Sequence, residues 1–209
     1  MRITKFEHAC FVVEKDGQSL VIDPGDFTTD FVIPPHVVAV VITHEHGDHF
    51  SKGKLQAIVT TYPDVVIIAH ESITAQLAHF HTRTVTANEG TSIGNFTLEF
   101  YGGEHAIIHP NIPLVANLGV MINNTVFYPG DSFVHPERPV KVLALPISAP
   151  WLKISEVIDY LLALQPEIAF PTHDAVLSEI GKTVPDRMLP SVAEKSGTKY
   201  QRLQEPLEV

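Results

Sequence analysis

Strand-like and helix-like segments alternate along this 209-residue chain, and hairpin patterns intrude at both ends. Together these features predict an α/β layered sandwich of mixed β-sheets, rather than a purely parallel, doubly wound sheet. Domains of about 100–200 residues are the rule. No repeat, low-complexity tract or Pro/Gly/Ser-rich linker divides the sequence, so one domain over residues 1–209 is expected.

Each element has a local reason. Residues 3–13 and 18–23 are strand-like and read as a hairpin, with Asp16-Gly17 as the turn signal. Residues 24–36 hold three prolines and no periodicity, which predicts a loop. Residues 37–43 are a continuous β-branched run, the pattern of a strand buried on both faces. Ser51 is placed to cap a helix over 52–60, and 64–69 is a second buried strand. A helix is expected near 71–80, then short strands near 83–86 and 96–101. In the second half, the segments flanking Asn123-Asn124 form a hairpin, and 140–147 is a buried strand. Apolar residues spaced by three and four over 153–164 predict an amphipathic helix. A short strand at 167–170, a helix starting after His173, and a closing strand pair in the tail complete the reading.

Composition narrows the function. Fourteen Lys and Arg against twenty-four Asp and Glu give a net charge of −10 with no basic run, which argues against nucleic acid as a partner. The single cysteine, Cys10, allows no internal disulfide, and the first fifteen residues carry no apolar signal segment. The longest apolar stretch, 37–42, is one strand long and far short of a membrane span. A cytoplasmic protein acting on a small molecule is expected. Histidine stands out: twelve residues, nearly as many as all the Lys and Arg together. Imidazole is the commonest metal ligand, so their clustering matters.

The cluster is Thr43-His44-Glu45-His46-Gly47-Asp48-His49, directly after the most buried strand. Neither a core nor a solvated face requires four potential ligands within six residues. In a tight turn residues two apart point the same way, so His44 and His46 can share one ion while Asp48 and His49 project toward a neighbouring position. Gly47 is expected to relieve backbone crowding in that turn.

This segment resembles the HxHxDH signature of the metallo-β-lactamase superfamily, and further markers follow in order. Asp23 ends the second strand in LVIDPG, His105 lies in GGEHAIIHP, Asp131 in YPGDS and His173 in FPTHD. The resemblance spans residues 3 to about 175. The N-terminal segment Phe6-Glu7-His8-Ala9-Cys10-Phe11 and the small size point to a subgroup similar to ascorbate-phosphate lactonase-like proteins, although Glu7 stands where a Gly usually precedes the histidine.

The resemblance implies a four-layer αβ/βα sandwich of two mixed β-sheets flanked by helices. It also implies a hydrolase using two divalent metal ions, zinc foremost and manganese or iron as alternatives. His44, His46 and His105 would hold one ion with a position left for water, as catalytic zinc sites do. Asp48, His49 and His173 would hold the second, with Asp131 bridging, and Asp48 would also orient the hydroxide that cleaves a small ester, lactone, thioester or phosphodiester. Asp23 is expected to orient ligands by accepting their hydrogen bonds. His105 is preferred to His109 as the ligand because it comes sooner after the strand end, and His109 is expected beside the site, lining the pocket. His8 is either a buried core residue or one facing the site. His135 is close enough to the Asp131 turn to line a pocket, and Trp151 either walls that pocket or packs. His36, His70, His79 and His81 lack partners at ligand spacing. Ser148 and Cys10 lack the surroundings of a nucleophile. Di-iron oxidoreductase relatives carry an acidic residue in place of the second histidine, whereas His46 is intact. A non-catalytic metal-binding protein of the same fold is the remaining alternative.

Overall fold

A computed structural model describes residues 1–209. The first sheet is built from β1 (Arg2–Lys5), β2 (Phe11–Lys15), β3 (Gln18–Ile22), β4 (Val37–Ile42), β5 (Val66–Ala69) and β6 (Thr82–Thr84), closed at the far edge by β14 (Leu207–Glu208). Its order is β14-β1-β2-β3-β4-β5-β6, antiparallel up to β3 and parallel beyond. The second sheet contains β7 (Gly90–Ile93), β8 (Phe96–Gly102), β9 (Leu118–Ile122), β10 (Val126–Tyr128), β11 (Val142–Pro146), β12 (Ile168–Thr172) and β13 (Lys199–Tyr200). Its order mirrors the first, with β7 to β10 antiparallel and β10 to β13 parallel.

The alternation of side chains along each strand creates the layers. In β3 and β4, Leu20, Ile22, Ala39 and Val41 point inward, into a core shared with Phe96, Val120, Val142 and Phe170 of the second sheet. Phe11 meets Tyr128 and Phe170 edge-on across that core, with ring centroids 5.5 and 5.7 Å apart. The alternate residues Val21, Val40 and Ile42 point outward and pack against Leu55 and Ile58 of α1 (Lys52–Thr61) and Ile73 of α2 (Glu71–Thr74). On the opposite side, Leu143, Leu145 and Ala169 pack against α3 (Ile154–Leu164) and α4 (Glu179–Ala193). The result is helices, sheet, sheet and helices, the expected four layers. Each fully buried aliphatic or aromatic side chain contributes about 1.5–3 kcal/mol.

Several boundaries differ from expectation. The first strand is interrupted: residues 6–10 leave the sheet between β1 and β2, and His8, expected within a strand, adopts a left-handed φ of 58°. The helix expected over 71–80 stops at Thr74, because the chain must return at once to the edge, where the amide of Ile67 donates to the carbonyl of His81. The polar edge strand β7 lacks the apolar alternation that marks a strand in sequence. Ser51 takes the cap position of α1 without making a side-chain cap hydrogen bond. The helix after His173 begins only at Glu179, capped by the Ser178 hydroxyl. The two tail strands do not pair with each other: β13 joins β12 and β14 joins β1. No helix is long and apolar enough to cross a membrane.

The glycine that the His-rich turn needs is not the expected one. Gly47 has open space around it: a Cβ there would meet only the Asp26 carboxylate, at 3.7 Å. Gly25, in the loop after β3, lies directly beneath the turn, and a Cβ there would sit 1.8 Å from the backbone oxygen of Asp48. Backbone cannot swing aside as a flexible side chain can. Gly25→Ala should therefore destabilise the protein by about 3 kcal/mol, whereas Gly47→Ala should stay within about 0.5 kcal/mol of the parent. Chemical denaturation of both variants checks this, and equal stabilities would mean that Gly25 does not support the turn.

Candidate metal centre

The site lies where the two sheets meet at their strand ends. Residues 43–49 leave the C-terminal end of β4, and the amide of Leu118 at the start of β9 donates to the carbonyl of Thr43. His44 forms an isolated bridge with Asn117, so this turn is stitched to the second sheet. His105 follows β8, Asp131 follows β10, and His173 follows β12. Asn117 secures the Asp131 turn, its side-chain oxygen accepting from the amide of Asp131 at 3.0 Å and its amide group donating to the carbonyl of Pro129 at 2.9 Å. Gly130, left-handed at φ 64°, has no room for a Cβ beside that asparagine.

Besides the fully buried set of Asp23, His44 and His49, two groups of donors form. His44, His46 and His105 bring one ligand atom each within 4.8 Å of one another, and His8, Asp48, His49 and His173 do the same. Asp131 stands between the groups: Oδ1 is 3.2 Å from His49 Nε2, while Oδ2 is 3.4 Å from His105 Nε2 and 3.0 Å from His173 Nε2. Trp151 donates its indole N–H to the same Oδ2 at 2.9 Å and sets its ring edge-on to His105. Its place is at the site wall.

Hydrogen bonds fix which nitrogen each imidazole presents. His49 donates from Nδ1 to Asp23 Oδ2 at 2.7 Å, and Thr43 donates to the two Asp23 oxygens from its amide and its hydroxyl, at 2.8 and 2.6 Å. The Thr43 hydroxyl, its proton committed to Asp23, accepts from His44 Nδ1 at 3.1 Å. His105 Nδ1 donates to the carbonyl of Ala106 at 2.6 Å, and His173 Nδ1 to that of Ser148 at 2.5 Å. All four rings therefore aim Nε2 into the site. There the Nε2 atoms of His44, His49 and His105, and Oδ1 of Asp131, are buried with no hydrogen-bond partner. Buried polar atoms without partners are costly, and several converging on one point fit a bound cation. Nitrogen and carboxylate donors with this backing suit zinc, manganese or iron.

Electrostatics distinguish the two groups. Burial drives the His44 pKa well below its usual value, keeping the ring neutral as a ligand must be. Burial also opposes charge on His49 and His173, but neighbouring carboxylates outweigh it: Asp131 and Asp23 raise His49, and Asp131 and Asp48 raise His173 to about 9. Asp48 is held well below the usual carboxylate range; burial works against this, and hydrogen bonds from His173 and His8 overcome it.

The structure thus brings His44, His46, His105, Asp48, His49, Asp131 and His173 together, with Asp23 behind them accepting ligand hydrogen bonds. His8 resolves as site-facing, its Nε2 3.0 Å from Asp48 Oδ2. Two expectations fail. His109 is exposed, its ring turned back to accept from the amide of Asn111 in its own loop, and His135 is exposed against Tyr160 rather than lining the site. Exposure rises along both segments, from buried His105 to His109 and from buried Asp131 to His135, so the chain has left the site by the time each ring is reached. Thr43 and Asn117, which sequence reasoning did not single out, set the turns. Neither has a spacing pattern, although Thr43 directly precedes the motif. Cys10 is fully buried, and burial pushes its thiol pKa far up, leaving it inert.

Comparison with known proteins places this architecture. Residues 2–173 match the family model described as the beta-lactamase superfamily domain. Protein Rv0786c of Mycobacterium tuberculosis is 34% identical over 85% of this chain and 86% of its own length. The UPF0173 metal-dependent hydrolase NEQ378 of Nanoarchaeum equitans is 25% identical, covering 83% of each chain. Among solved structures, Igni18, described as a novel metallo hydrolase from Ignicoccus hospitalis, superposes with a TM-score of 0.77 at 18% identity, covering 100% of this chain and 98% of that one. The metallo-beta-lactamase fold protein YhfI of Bacillus subtilis gives 0.74 at 17% identity, with 100% and 98% covered. The matched family, the mirrored sheets and the converging unpartnered donors agree: the chain belongs to the metallo-β-lactamase superfamily of metal-dependent hydrolases.

Proposed function

We propose that this protein is a dinuclear metal hydrolase that cleaves a small ester, lactone, thioester or phosphodiester. The observation that carries the reading is the set of buried, partnerless donor atoms of His44, His49, His105 and Asp131, arranged in two groups with Asp131 between them. His44, His46 and His105 would hold one ion, and Asp48, His49 and His173 the other, with Asp131 shared. Bound there, two divalent cations, zinc foremost, supply a hydroxide nucleophile near neutral pH and polarise the bond to be cleaved. The remaining chemistry belongs to the chain. Asp48 is the carboxylate nearest solvent, its side chain 18% exposed against 3% for Asp131, so it is the group that orients attacking water toward substrate. Trp151 holds Asp131 and walls the same side. The core shared by the two sheets supports one domain over residues 1–209, and the acidic charge supports a small-molecule substrate rather than nucleic acid or membrane. The single free cysteine, Cys10, fits a reducing compartment such as the cytoplasm.

Protein purified without chelator should contain about two equivalents of metal. Turnover of a lactone, thioester or phosphodiester panel should vanish on chelation and return with zinc or manganese. Elemental analysis showing one equivalent reproducibly, or activity that survives exhaustive chelation, would remove the dinuclear reading.

Asp48→Asn keeps the side-chain shape and removes the charge. The folded variant should retain about one metal and lose activity by roughly 100-fold or more, the scale of losing a general base. His44→Ala should instead weaken the other group and lower the metal-dependent melting temperature, since an ion bound only to the native state stabilises it. Metal content, melting temperature and turnover of both variants separate the two roles.

Metal uptake should also release protons. The His173 pKa of about 9 means that its ring is charged at pH 7 in the metal-free protein, and a ligand must be neutral. Affinity should therefore rise with pH up to about 9. The stabilisation of the metal-free fold by that charged ring is complete below its ordinary value of 6.5 and is lost as pH rises through 9. Calorimetry in buffers of different ionisation enthalpy measures the protons released, and none released near pH 7 would contradict the assignment.

A further inference from the structure

Four imidazoles of the centre share one wiring, and a fifth reverses it. His44, His49, His105 and His173 all donate from Nδ1 and present Nε2. His8 accepts at Nδ1, from the backbone N–H of Ala175 at 3.3 Å. A neutral imidazole that accepts at one nitrogen carries its proton on the other, so the His8 proton is on Nε2, the atom 3.0 Å from Asp48 Oδ2. A nitrogen bearing a proton donates a hydrogen bond and has no lone pair for an ion.

We propose that His8 is not a fourth member of its donor group but a positioning residue, whose Nε2–H holds the Asp48 carboxylate in the orientation needed by the ion that His49 and His173 share. The proposal rests on the reading of those three residues as ligands.

The surroundings of His8 are built for one fixed ring. It is fully buried, yet its backbone is left-handed at φ 58°, a conformation that costs a non-glycine residue energy and persists only where its surroundings impose it. Two donors hold its carbonyl: Lys5 Nζ at 2.6 Å and the amide of His173 at 3.0 Å. Phe27 closes the open side with its ring edge-on at 5.2 Å. A histidine placed only to fill the core would not need its one remaining proton aimed at a site carboxylate. The link to His173 also means that a single residue positions two members of the second group, one through its ring and one through its peptide.

Nitrogen-15 NMR of the histidine rings tests the wiring directly, in both metal-free and zinc-loaded protein. His8 should show a protonated Nε2 and a bare Nδ1 in both states; a protonated Nδ1 with a zinc-shifted Nε2 would make it a ligand and overturn the proposal. Zinc titration against a chromophoric chelator tests the consequence. His8→Asn tolerates the left-handed backbone but is too short to reach Asp48, and it should weaken the second zinc by about 10–100-fold while leaving the first unchanged. His8→Gln extends an N–H to the Nε2 position and should recover most of that loss. An asparagine variant with parental affinity for both ions, or a glutamine variant no better than the asparagine one, would overturn the positioning role. If the parent binds no second zinc, the ligand reading falls instead, while the ring tautomer still tests the His8 wiring on its own.

Discussion

The centre depends on one buried carboxylate. Asp23 is fully buried, and its two oxygens receive the amide and hydroxyl of Thr43 and the Nδ1–H of His49. Those three hydrogen bonds satisfy a charge that burial would otherwise make prohibitive. They also do structural work at a distance. Through Thr43 they set the start of the His-rich turn and the tautomer of His44, and through His49 they set a ligand of the other group. One residue thus orients a histidine on each side of the centre, which is why Asp23 itself need not touch an ion.

The fold explains why the ligands can come from such distant segments. Each sheet has a parallel half whose strands end on the same side, and the loops leaving those ends carry His44 to His49 in one sheet and His173 in the other. Crevices at the C-terminal ends of parallel strands are where α/β sheets commonly place ligands. Here the two sheets face each other across a common core, so their strand-end loops oppose and a shared site forms between them. Carboxylates from both sides converge on this point, and their mutual repulsion is offset by the imidazoles among them, by the Trp151 N–H on Asp131 and by Thr43 on Asp23. Because the cluster joins the sheets, an ion bound in it would link the two halves as well as serve the chemistry.

What could be read from the sequence follows the range of the interaction. The turn from His44 to His49 was legible because its ligands are close in sequence and its chemistry has no structural substitute. His105, Asp131 and His173 became legible only through family resemblance, since no local rule connects residues so far apart. Strand burial in 37–42 was plain from its unbroken β-branched run. Other features were hidden because they depend on approach between segments. The need for glycine at 25 rather than 47 arises from backbone crossing backbone, which no composition reveals. The direction of the His8 ring depends on an N–H from Ala175, and the parting of the tail strands depends on which sheet edge remains open. His109 and His135 misled because histidine near a motif is only weak evidence of where its ring points.

Glu7 shows how a departure from a family pattern can be absorbed. Its carboxylate accepts from the amide of Thr29 at 2.8 Å and from the Thr29 hydroxyl, and its own amide donates to Asp30. Those hydrogen bonds from Thr29 lower its pKa, so the group stays ionised as an acceptor. The Thr28 hydroxyl adds a bond to the Glu7 carbonyl at 3.2 Å. Together they tie the proline-bearing loop after β3 to the turn that carries His8. That loop bears Phe27, whose ring covers His8, and Gly25, which lies under the His-rich turn. A glycine at position 7 would offer the same backbone but no carboxylate, leaving the loop one anchor fewer. The substituted residue therefore acts on the centre without reaching it, by holding in place the segment against which both the turn and His8 are packed.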